Sequence, residues 1–485
     1  MSVTRIRLGR IGLACIVLGA CTSDGADAGN ADAGLSGTAP PVDMLGSGLD
    51  SGSAAAGTGG AGDGGLGAGA GTAGPVAAAG ASGSTGVAGT EGVDLSVTLY
   101  DPENFPRFDI ELPPDSLATL DLVENSVDPR QDTYVTATLT HGTQTVTNIG
   151  LRFKGEGSFQ KLDGKPAFKL KFDEFVDNQS FYGLRRMTLN NAFEDPSFVA
   201  ERLAYDVFRA AGLPAPRCNS ATVYVNGTFY GVFVNVEAED KTFLRRWFSD
   251  DDGNLYEEGQ TDFVSGAELD FNLETNEEVN DRSDLANLIA SIQAANNPGS
   301  FLGDIGRHLD TAQFLKFTGA EAAVNQWDMY AYTVFYVNNL RIYSDPATQK
   351  FAFIPWGMDL SMKPFRDSGK AHINLFALAQ RGDNSSQPVT AGLIFQRCLE
   401  SEACVTAYVD AVEQIITAYE GLNMEARAMA YYDQIRSQVL ADTRKRVCCS
   451  GQPLSNEQFE AGFQSVLETI RGRVAALRAN LTARQ

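Results

Sequence analysis

Alternation of apolar and polar residues predicts a β-rich unit over residues 93–240. Such alternation places successive side chains on opposite faces of a sheet, so that one face is buried and the other is polar. Asn226-Gly227 lies between two alternating segments and is the strongest short-range signal for a β-hairpin turn. The predicted strands are Thr133–Leu139, Thr145–Phe153, Ala167–Phe172, Ala221–Val225 and Phe229–Glu237.

Helical periodicity predicts a mainly helical unit over residues 241–485 that ends in a helical extension. One further helix interrupts the β-rich unit, since Asp195 can cap it, Pro196 suits its first position and Gly212 ends it. The two units together predict an α+β protein with two lobes. The predicted helices of the second unit are Phe243–Phe248, Leu285–Ala295, Thr311–Asn325, Val405–Tyr419, Ala426–Thr443 and Phe459–Leu481.

Residues 1–21 have the pattern of a lipoprotein signal peptide. Three arginines precede a short apolar run, and Leu18-Gly-Ala-Cys21 resembles the site at which a cysteine receives lipid. An ordinary signal peptide with an incidental cysteine is the alternative. We expect an exported protein that begins at a lipidated Cys21. Because Thr22 is not the aspartate that signals inner-membrane retention, we expect an outer-membrane or cell-surface location.

Composition predicts a disordered tether over residues 22–92. From residue 22 to residue 90 the chain holds 21 glycines and six aspartates, with no lysine, arginine or aromatic residue. Such a segment cannot bury enough apolar surface to offset the entropy that ordering would cost. We therefore expect a flexible spacer between the lipid anchor and the folded part.

Net charge limits the partners that the protein can bind, and cysteine spacing limits the metal sites and disulfides that it can form. The formal net charge is −23, which argues against nucleic acid and anionic lipid as partners but not against ATP. We expect a monomer that reaches the membrane through its lipid anchor alone. The cysteines lack zinc-site spacing, whereas Cys398 and Cys404 flank a short loop between two helices and can form a disulfide in an exported protein.

The candidate chemistry lies between residues 325 and 362. Asp328, the pair Asn338-Asn339 and then Asp359 follow one another, with strand-like alternation between them. Phosphoryl transfer of the protein-kinase type needs this set: one carboxylate serves the nucleophile, while an amide and a second carboxylate hold magnesium. The alternative is a surface hairpin in which Asn and Asp serve turns. No nucleophile elbow or metal-ligand cluster supports a hydrolase.

Several motifs in this chain resemble the spore coat protein H (CotH) kinase family. The similarity is collinear over residues 105 to 400, which makes it more specific than any single motif. The matching stretches are Phe153–Ser158, Lys165–Phe172, Leu189–Asn191, Asp195–Ser197, Val225–Glu237 and Asn338–Asp359.

This resemblance implies a two-lobed, atypical protein-kinase-like fold and an ATP-dependent protein kinase that acts on Ser or Thr of surface or exported proteins. It implies ATP with Mg²⁺ or Mn²⁺ as cofactors and a protein substrate. Asp359 would bind the metal with Asn338 or Asn339, and Asp328 would serve the acceptor hydroxyl. Lys169 would hold the phosphates with help from Glu201.

The same resemblance implies further nucleotide contacts. The turn Gly155-Glu-Gly157-Ser158 would cover the phosphates, and the link between the lobes at Glu237 would meet the adenine. Lys154 and Lys165 compete with Lys169 for the phosphates, although Lys169 is favoured. Ordinary structural roles compete for several of these residues, since glycines serve turns, Glu201 suits a helix dipole and Glu237 can cap the following helix.

One departure from the family pattern leaves a second function open. The family usually has Pro-Trp-Asp-x-Asp, whereas this chain has Pro355-Trp-Gly357-Met-Asp359. If the missing aspartate were the main metal ligand, the protein would be weak or inactive. The alternative is therefore a surface-displayed binding or structural module built on an inactive kinase-like fold.

The lipoprotein interpretation predicts the outcome of a single substitution. Cys21→Ser removes the thiol that receives lipid, so the protein should leave the membrane fraction and become soluble or remain unprocessed. Cys15→Ser is the matched control, because it lies in the segment that is cleaved off and should leave the protein in the membrane fraction. Cell fractionation measures both, and a processed Cys21→Ser protein that stays with membranes would contradict the interpretation.

Overall fold

The chain is described by a computed structural model that covers residues 94–333, 337–364, 372–376, 392–448 and 451–484. The predicted signal peptide, the lipidation at Cys21 and the tether 22–92 lie outside these ranges. Within them, every helix is too short or too polar to span a bilayer. All the described residues belong to one compact unit.

Seven strands form a closed barrel in the order β1-β2-β3-β4-β5-β7-β6. All neighbouring pairs are antiparallel except β1 and β6, whose parallel pairing joins Phe108 to Val223 and closes the barrel. The sequence predicted five of the strands to within a few residues but missed β1 and β5. The strands are β1 Arg107–Glu111, β2 Val135–His141, β3 Gln144–Lys154, β4 Ala167–Lys171, β5 Arg186–Asn190, β6 Cys218–Val225 and β7 Thr228–Glu237.

Alternation along the strands divides the barrel residues between two cores. Phe168 on β4 and Phe233 on β7 point inward, where their rings stack with centroids 6.0 Å apart. Val234 and Val236 point outward and pack into a second, larger core that the helices provide. The outer face of β5 and β7 is therefore covered by the rest of the protein, and the candidate site lies along this boundary.

The part of the chain after residue 240 combines helices with a small antiparallel sheet in the order β11-β10-β8-β9. The sheet strands are β8 Asn254–Glu257, β9 Asn272–Leu273, β10 Leu340–Asp345 and β11 Lys350–Pro355. The α-helices of the whole described chain, three of which precede residue 240, are α1 Val97–Tyr100, α2 Pro114–Asp121, α3 Ala200–Ala210, α4 Lys241–Trp247, α5 Ser283–Ala294, α6 Phe301–Ile305, α7 Thr311–Ala323, α8 Leu393–Leu399, α9 Glu402–Gly421, α10 Met424–Ala441 and α11 Asn456–Arg484. The described part of the chain is thus α+β, with most of its helix after residue 240.

Helix α3 begins at Ala200, later than the sequence indicated. Phe198 has a φ of 61°, a left-handed conformation that a helix cannot include. Asp195 nevertheless acts at this helix start, because its carboxylate accepts hydrogen bonds from the backbone N–H groups of Ser197 and Ala200, each at 2.9 Å. The tight turn formed by these hydrogen bonds therefore sets the orientation of the first residues of α3.

A disulfide joins Cys398 at the end of α8 to Cys404 in α9, with their Cα atoms 5.2 Å apart. Both cysteines are fully buried. Cys218 is a buried free thiol.

A buried ion pair attaches the barrel to the C-terminal helices. Lys165, in the loop before β4, places its ammonium nitrogen 2.7 Å from the Asp442 carboxylate at the end of α10, and both side chains are 1% exposed. The Asp442 carboxylate also accepts a hydrogen bond from the backbone N–H of Val232 at 3.3 Å. Desolvation lowers the pKa of Lys165, and the charge of Asp442 opposes that shift.

This ion pair predicts a large stability effect for one lysine and a small effect for another. Lys165→Met leaves the Asp442 carboxylate buried without its cation, so the free energy of unfolding should fall by about 3–5 kcal/mol. Lys171→Met is the matched control, because Lys171 pairs with Glu174 at 2.7 Å in a partly exposed position and should cost less than about 1 kcal/mol. Denaturant unfolding measures both, and equal losses would contradict the assignment.

Candidate active site

The outer face of the barrel contributes a lysine and an amide to one point, and helix α3 contributes a carboxylate. Lys154 ends β3, and its ammonium group donates a hydrogen bond to the amide oxygen of Asn190 on β5 at 2.8 Å. The amide nitrogen of Asn190 then donates to both carboxylate oxygens of Glu201 on α3, at 2.9 and 3.0 Å. Burial, followed by the charge of Asp359, raises the pKa of Glu201 to about 8.

Asp328 lies in the loop between α7 and β10, where two amides hold its carboxylate. Asn338 and Asn339 each donate from their side-chain nitrogen to the same carboxylate oxygen at 3.0 Å, and Asn339 also donates to the Asp328 carbonyl at 2.8 Å. Burial and the charge of Asp359 raise the pKa of Asp328 to about 7, while the amide hydrogen bonds oppose this shift.

Asp359 lies in the short 3₁₀ turn Met358–Leu360 that follows β11 and packs against α3. Gly357 begins this turn with φ 59° and ψ 57°, the left-handed region that favours glycine. A Cβ atom at this position would lie 2.3 Å from the side-chain oxygen of Asn339. The Asn339 side chain therefore fills the space that an aspartate at position 357 would need.

The negative charge of Asp359 acts on three other carboxyl groups, so the four belong to one site. It raises the pKa values of Glu194, Glu201 and Asp328, and burial is the larger cause for each of the three. For Glu194 the pKa reaches about 8, although the nearby Lys363 opposes the shift. Lys363 also donates a hydrogen bond to the Glu194 backbone carbonyl at 2.5 Å. The site thus contains more carboxyl groups than cationic groups.

The glycine-containing turn lies at the edge of this site. Gly155 has a φ of 105°, and a Cβ atom there would lie 2.4 Å from the Ser158 hydroxyl. The side-chain amide of Gln131 donates to the Gly155 carbonyl at 2.8 Å, and the side-chain amide of Asn191 donates to the Ser158 carbonyl at 3.0 Å. A Cβ atom at Gly157 would be 3.8 Å from the Glu194 carboxylate. The turn is therefore fixed at both ends, with its middle beside the acidic group.

Lys169, the lysine that sequence reasoning favoured, belongs to a neighbouring group of charges and not to the Glu201 side chain. Burial lowers its pKa to about 8, with the charge of Glu257 opposing this shift and Arg341 adding to it. Arg341 in turn lies 3.2 Å from Glu257 and 2.5 Å from Glu239. Lys154, one of the two competing candidates, is the lysine that connects to Glu201 through Asn190.

Two other predicted contacts are also corrected. Lys165 forms the buried ion pair with Asp442, so its ammonium group does not face the four carboxyl groups of the site. Glu237 forms ion pairs with Arg217, at 2.8 Å, and with Arg246. Asp240 caps α4, because its carboxylate accepts a hydrogen bond from the backbone N–H of Thr242 at 2.8 Å.

Sequence reasoning gave no role to Asn190, Glu194, Trp356 or Lys363. Asn190 and Trp356 lie within the motifs that resembled the family, which is the signal that could have found them. The ring of Trp356 lies between two cations, with the Lys154 nitrogen and the Arg341 guanidinium carbon each 5.1 Å from the ring centroid. Glu194 and Lys363 have no such signal, because only the folded chain brings them to the site.

Oxygen atoms dominate the possible ligands for a metal. Among the described residues, no group of three or more His, Cys, Asp and Glu side chains has the arrangement of an all-protein metal site. Magnesium does not require one, because it commonly binds one or two carboxylates and completes its shell with phosphate oxygens and water. The carboxylate of Asp359 and the amide oxygens of Asn338 and Asn339 are the appropriate donor types for that arrangement.

Comparison with known proteins gives a family match over most of the folded chain. A family model described as CotH kinase protein matches residues 151–477. The chain is 24% identical over 320 residues to the inner spore coat protein H of Bacillus subtilis (strain 168), covering 64% of this chain and 82% of that protein. The crystal structure of the Helicobacter pylori proinflammatory kinase CtkA matches 65% of this chain and 94% of its own, at 9% identity and a TM-score of 0.32.

The raised pKa of Glu201 predicts a pH-dependent stability. Because its folded pKa lies above the ordinary value of 4.5, its contribution is complete at low pH and is lost as pH rises through about 8. Glu201→Gln removes this ionisation. The stability of the variant relative to wild type should therefore grow between pH 5 and pH 9, by at least about 1 kcal/mol.

Denaturant unfolding across this pH range measures the difference. Glu111→Gln, which changes an exposed carboxyl on β1, is the control and should differ from wild type by the same amount at every pH. A constant difference for Glu201→Gln as well would show that the Glu201 carboxyl is not desolvated beside Asp359.

Proposed function

Because this chain belongs to the CotH kinase family, we propose that it is an atypical protein kinase that transfers phosphate from ATP to Ser or Thr hydroxyls of exported or surface proteins. The observation that carries the proposal is the convergence of Asp328 and Asp359 on the group formed by Lys154, Asn190 and Glu201. These residues supply a cation for phosphates, a carboxylate for a metal and a carboxylate for the acceptor. The proposed molecule has two lobes, with the barrel above the site and the helices below it.

The charge balance of the site supports a bound divalent cation. Three carboxyl groups there have raised pKa values because burial and the charge of Asp359 disfavour their ionised forms. A cation would offset that repulsion and favour ionisation. We assign the Mg²⁺ or Mn²⁺ to Asp359, with the side-chain oxygen of Asn338 or Asn339 as a second ligand. When bound, the ion would neutralise charge on the phosphates.

Lys154 is proposed to hold the phosphates in place of Lys169. Its ammonium group lies at the end of β3, beside the turn 155–158, and is oriented by the hydrogen bond to Asn190. Glu201 acts on this lysine through the Asn190 amide, which takes the place of a direct lysine–glutamate ion pair. Backbone N–H groups of the turn would cover the phosphates from the barrel side.

Asp328 is proposed to orient the acceptor hydroxyl and to accept its proton. Its pKa of about 7 lies close to neutral pH, where a general base is most effective. The two asparagine amides fix one of its oxygens, so that the other can face an acceptor. Catalysis would otherwise rest on positioning and on neutralisation of charge, because phosphoryl transfer requires little covalent chemistry from the protein.

Gly357 favours a second candidate, a displayed binding module without catalytic activity. Its left-handed backbone and its contact with Asn339 leave no room for the carboxylate that the family usually has there. In either case we propose an exported, monomeric lipoprotein that is attached to the outer membrane or cell surface through Cys21 only. The two candidates differ in whether ATP binds with magnesium.

Substitution of the two aspartates separates metal binding from catalysis. Asp359→Ala should abolish the rise in melting temperature that MgATP causes, because the metal loses its carboxylate. The protein without nucleotide should keep its stability, since Asp359 repels its neighbours. Asp328→Ala should keep the MgATP response and reduce phosphoryl transfer by at least about 100-fold, because that residue serves the acceptor.

Thermal unfolding with MgATP and transfer of labelled phosphate to a mixed protein substrate measure these effects. Lys169→Met is the control for Lys154→Met, and only the latter should weaken nucleotide binding strongly. A wild-type protein that binds no ATP with either Mg²⁺ or Mn²⁺ would overturn the kinase proposal in favour of the binding module.

A further inference from the structure

A single buried amide connects the loop of Asp328 to the turn of Asp359. Gln326 is fully buried, and its side-chain nitrogen donates to the Gly357 carbonyl at 3.0 Å. Its side-chain oxygen accepts from the backbone N–H of Asp328 at 3.4 Å. The same side chain therefore contacts the residue two positions before Asp359 and the backbone of Asp328 itself.

The neighbouring residue makes the same kind of connection on the other side of Asp359. Asn325, also fully buried, donates from its side-chain nitrogen to the Lys363 carbonyl at 2.6 Å and accepts from the Ile373 N–H at 2.8 Å. The Met362 N–H donates to the carbonyl of residue 324 at 2.8 Å. The stretch 324–326 thus holds the chain both before and after Asp359.

Hydrogen-bonded amides also limit how the Gly357 turn can move towards Asp328. The Asn339 side chain donates to Asp328 and lies against Gly357, so it separates the two loops by a fixed distance. Gln326 holds them together, while Asn339 keeps them apart. This combination of an attractive and a steric contact defines one spacing between the loops.

We propose that Gln326 is a positioning residue that sets the spacing between Asp328 and Asp359. The inference rests on the proposed function, in which these carboxylates serve the acceptor hydroxyl and the metal of one reaction. In-line transfer requires both partners at fixed positions, and a displacement of about 1 Å can reduce the rate about 100-fold. A buried amide suits this task because it supplies a donor and an acceptor without adding charge to an already acidic site.

The chain offers a closely matched control in Gln313. This residue lies on α7, and its side-chain nitrogen donates to the Phe353 carbonyl at 2.7 Å while its oxygen accepts from the Phe353 N–H at 3.0 Å. It therefore makes two amide hydrogen bonds to the backbone of β11, as Gln326 does to the residues around Asp328 and Gly357. Gln313 touches neither the Asp328 loop nor the Asp359 turn through these bonds.

The experiment compares Gln326→Met with Gln313→Met in the full chain. Both variants should lose thermal stability, because each removes two hydrogen bonds. Only Gln326→Met should lower kcat, by about 10-fold to 100-fold, with the KM for the protein acceptor changing less. Gln326→Glu preserves volume and one acceptor but places a carboxylate oxygen against the Gly357 carbonyl, so it should lower kcat even if Gln326→Met folds poorly.

Amide hydrogen exchange gives a readout that does not depend on catalysis. Gln326→Met should speed exchange at both ends of the connection, in peptides covering 326–332 and 356–363, whereas Gln313→Met should speed it in β11 alone. Equal kcat for the two variants, or faster exchange on only one side of Gln326, would overturn the proposal. If wild type transfers no phosphate, the kinase function fails, and the exchange pattern alone then decides whether Gln326 couples the loops.

Discussion

Repulsion among carboxylates is the constraint on which the site depends. Asp359 raises the pKa values of Glu194, Glu201 and Asp328, and Lys154 and Lys363 provide the positive charge that opposes these shifts. Such a group can reduce its repulsion by moving apart or by taking up protons. The surrounding structure prevents separation, since α3, the loop after α7 and the turn after β11 each fix one acid. Proton uptake remains, which is why the pKa values are raised, and a bound cation could take the place of those protons.

Neutral amides, rather than additional cations, hold most of these acids in place. Asn190 orients Glu201, the pair Asn338-Asn339 orients Asp328, and Gln326 connects the loops. A lysine or arginine in any of these positions would neutralise the site and compete with a metal. Amides donate hydrogen bonds without changing the net charge. This explains why residues with no acid–base chemistry are as important to the site as the carboxylates.

Local patterns were enough to predict most elements and the order Asp328, Asn338, Asp359, because alternation, turn signals and motif order are properties of neighbouring residues. The lysine that connects to Glu201 is Lys154, whereas the sequence favoured Lys169. Lys154 and Lys169 lie on adjacent strands, and which of them meets Glu201 depends on how β5 and α3 pack. Lys165 pairs with Asp442, which lies 277 residues later in the chain. Barrel closure was missed for the same reason, since β1 pairs with a strand more than a hundred residues later.

The parallel pairing of β1 with β6 also determines where the chain can be cut. The family model matches the chain from residue 151, but the barrel begins at residue 107 and includes β1, β2 and all of β3. A fragment that starts at residue 151 would leave the rest of β3 without its partner β2 and β6 without its partner β1, so both would have unpaired backbone groups along one side. Such exposed edges recruit strands from other molecules and promote aggregation. The segment that the family model matches is therefore shorter than the unit that folds, and expression should start before residue 94.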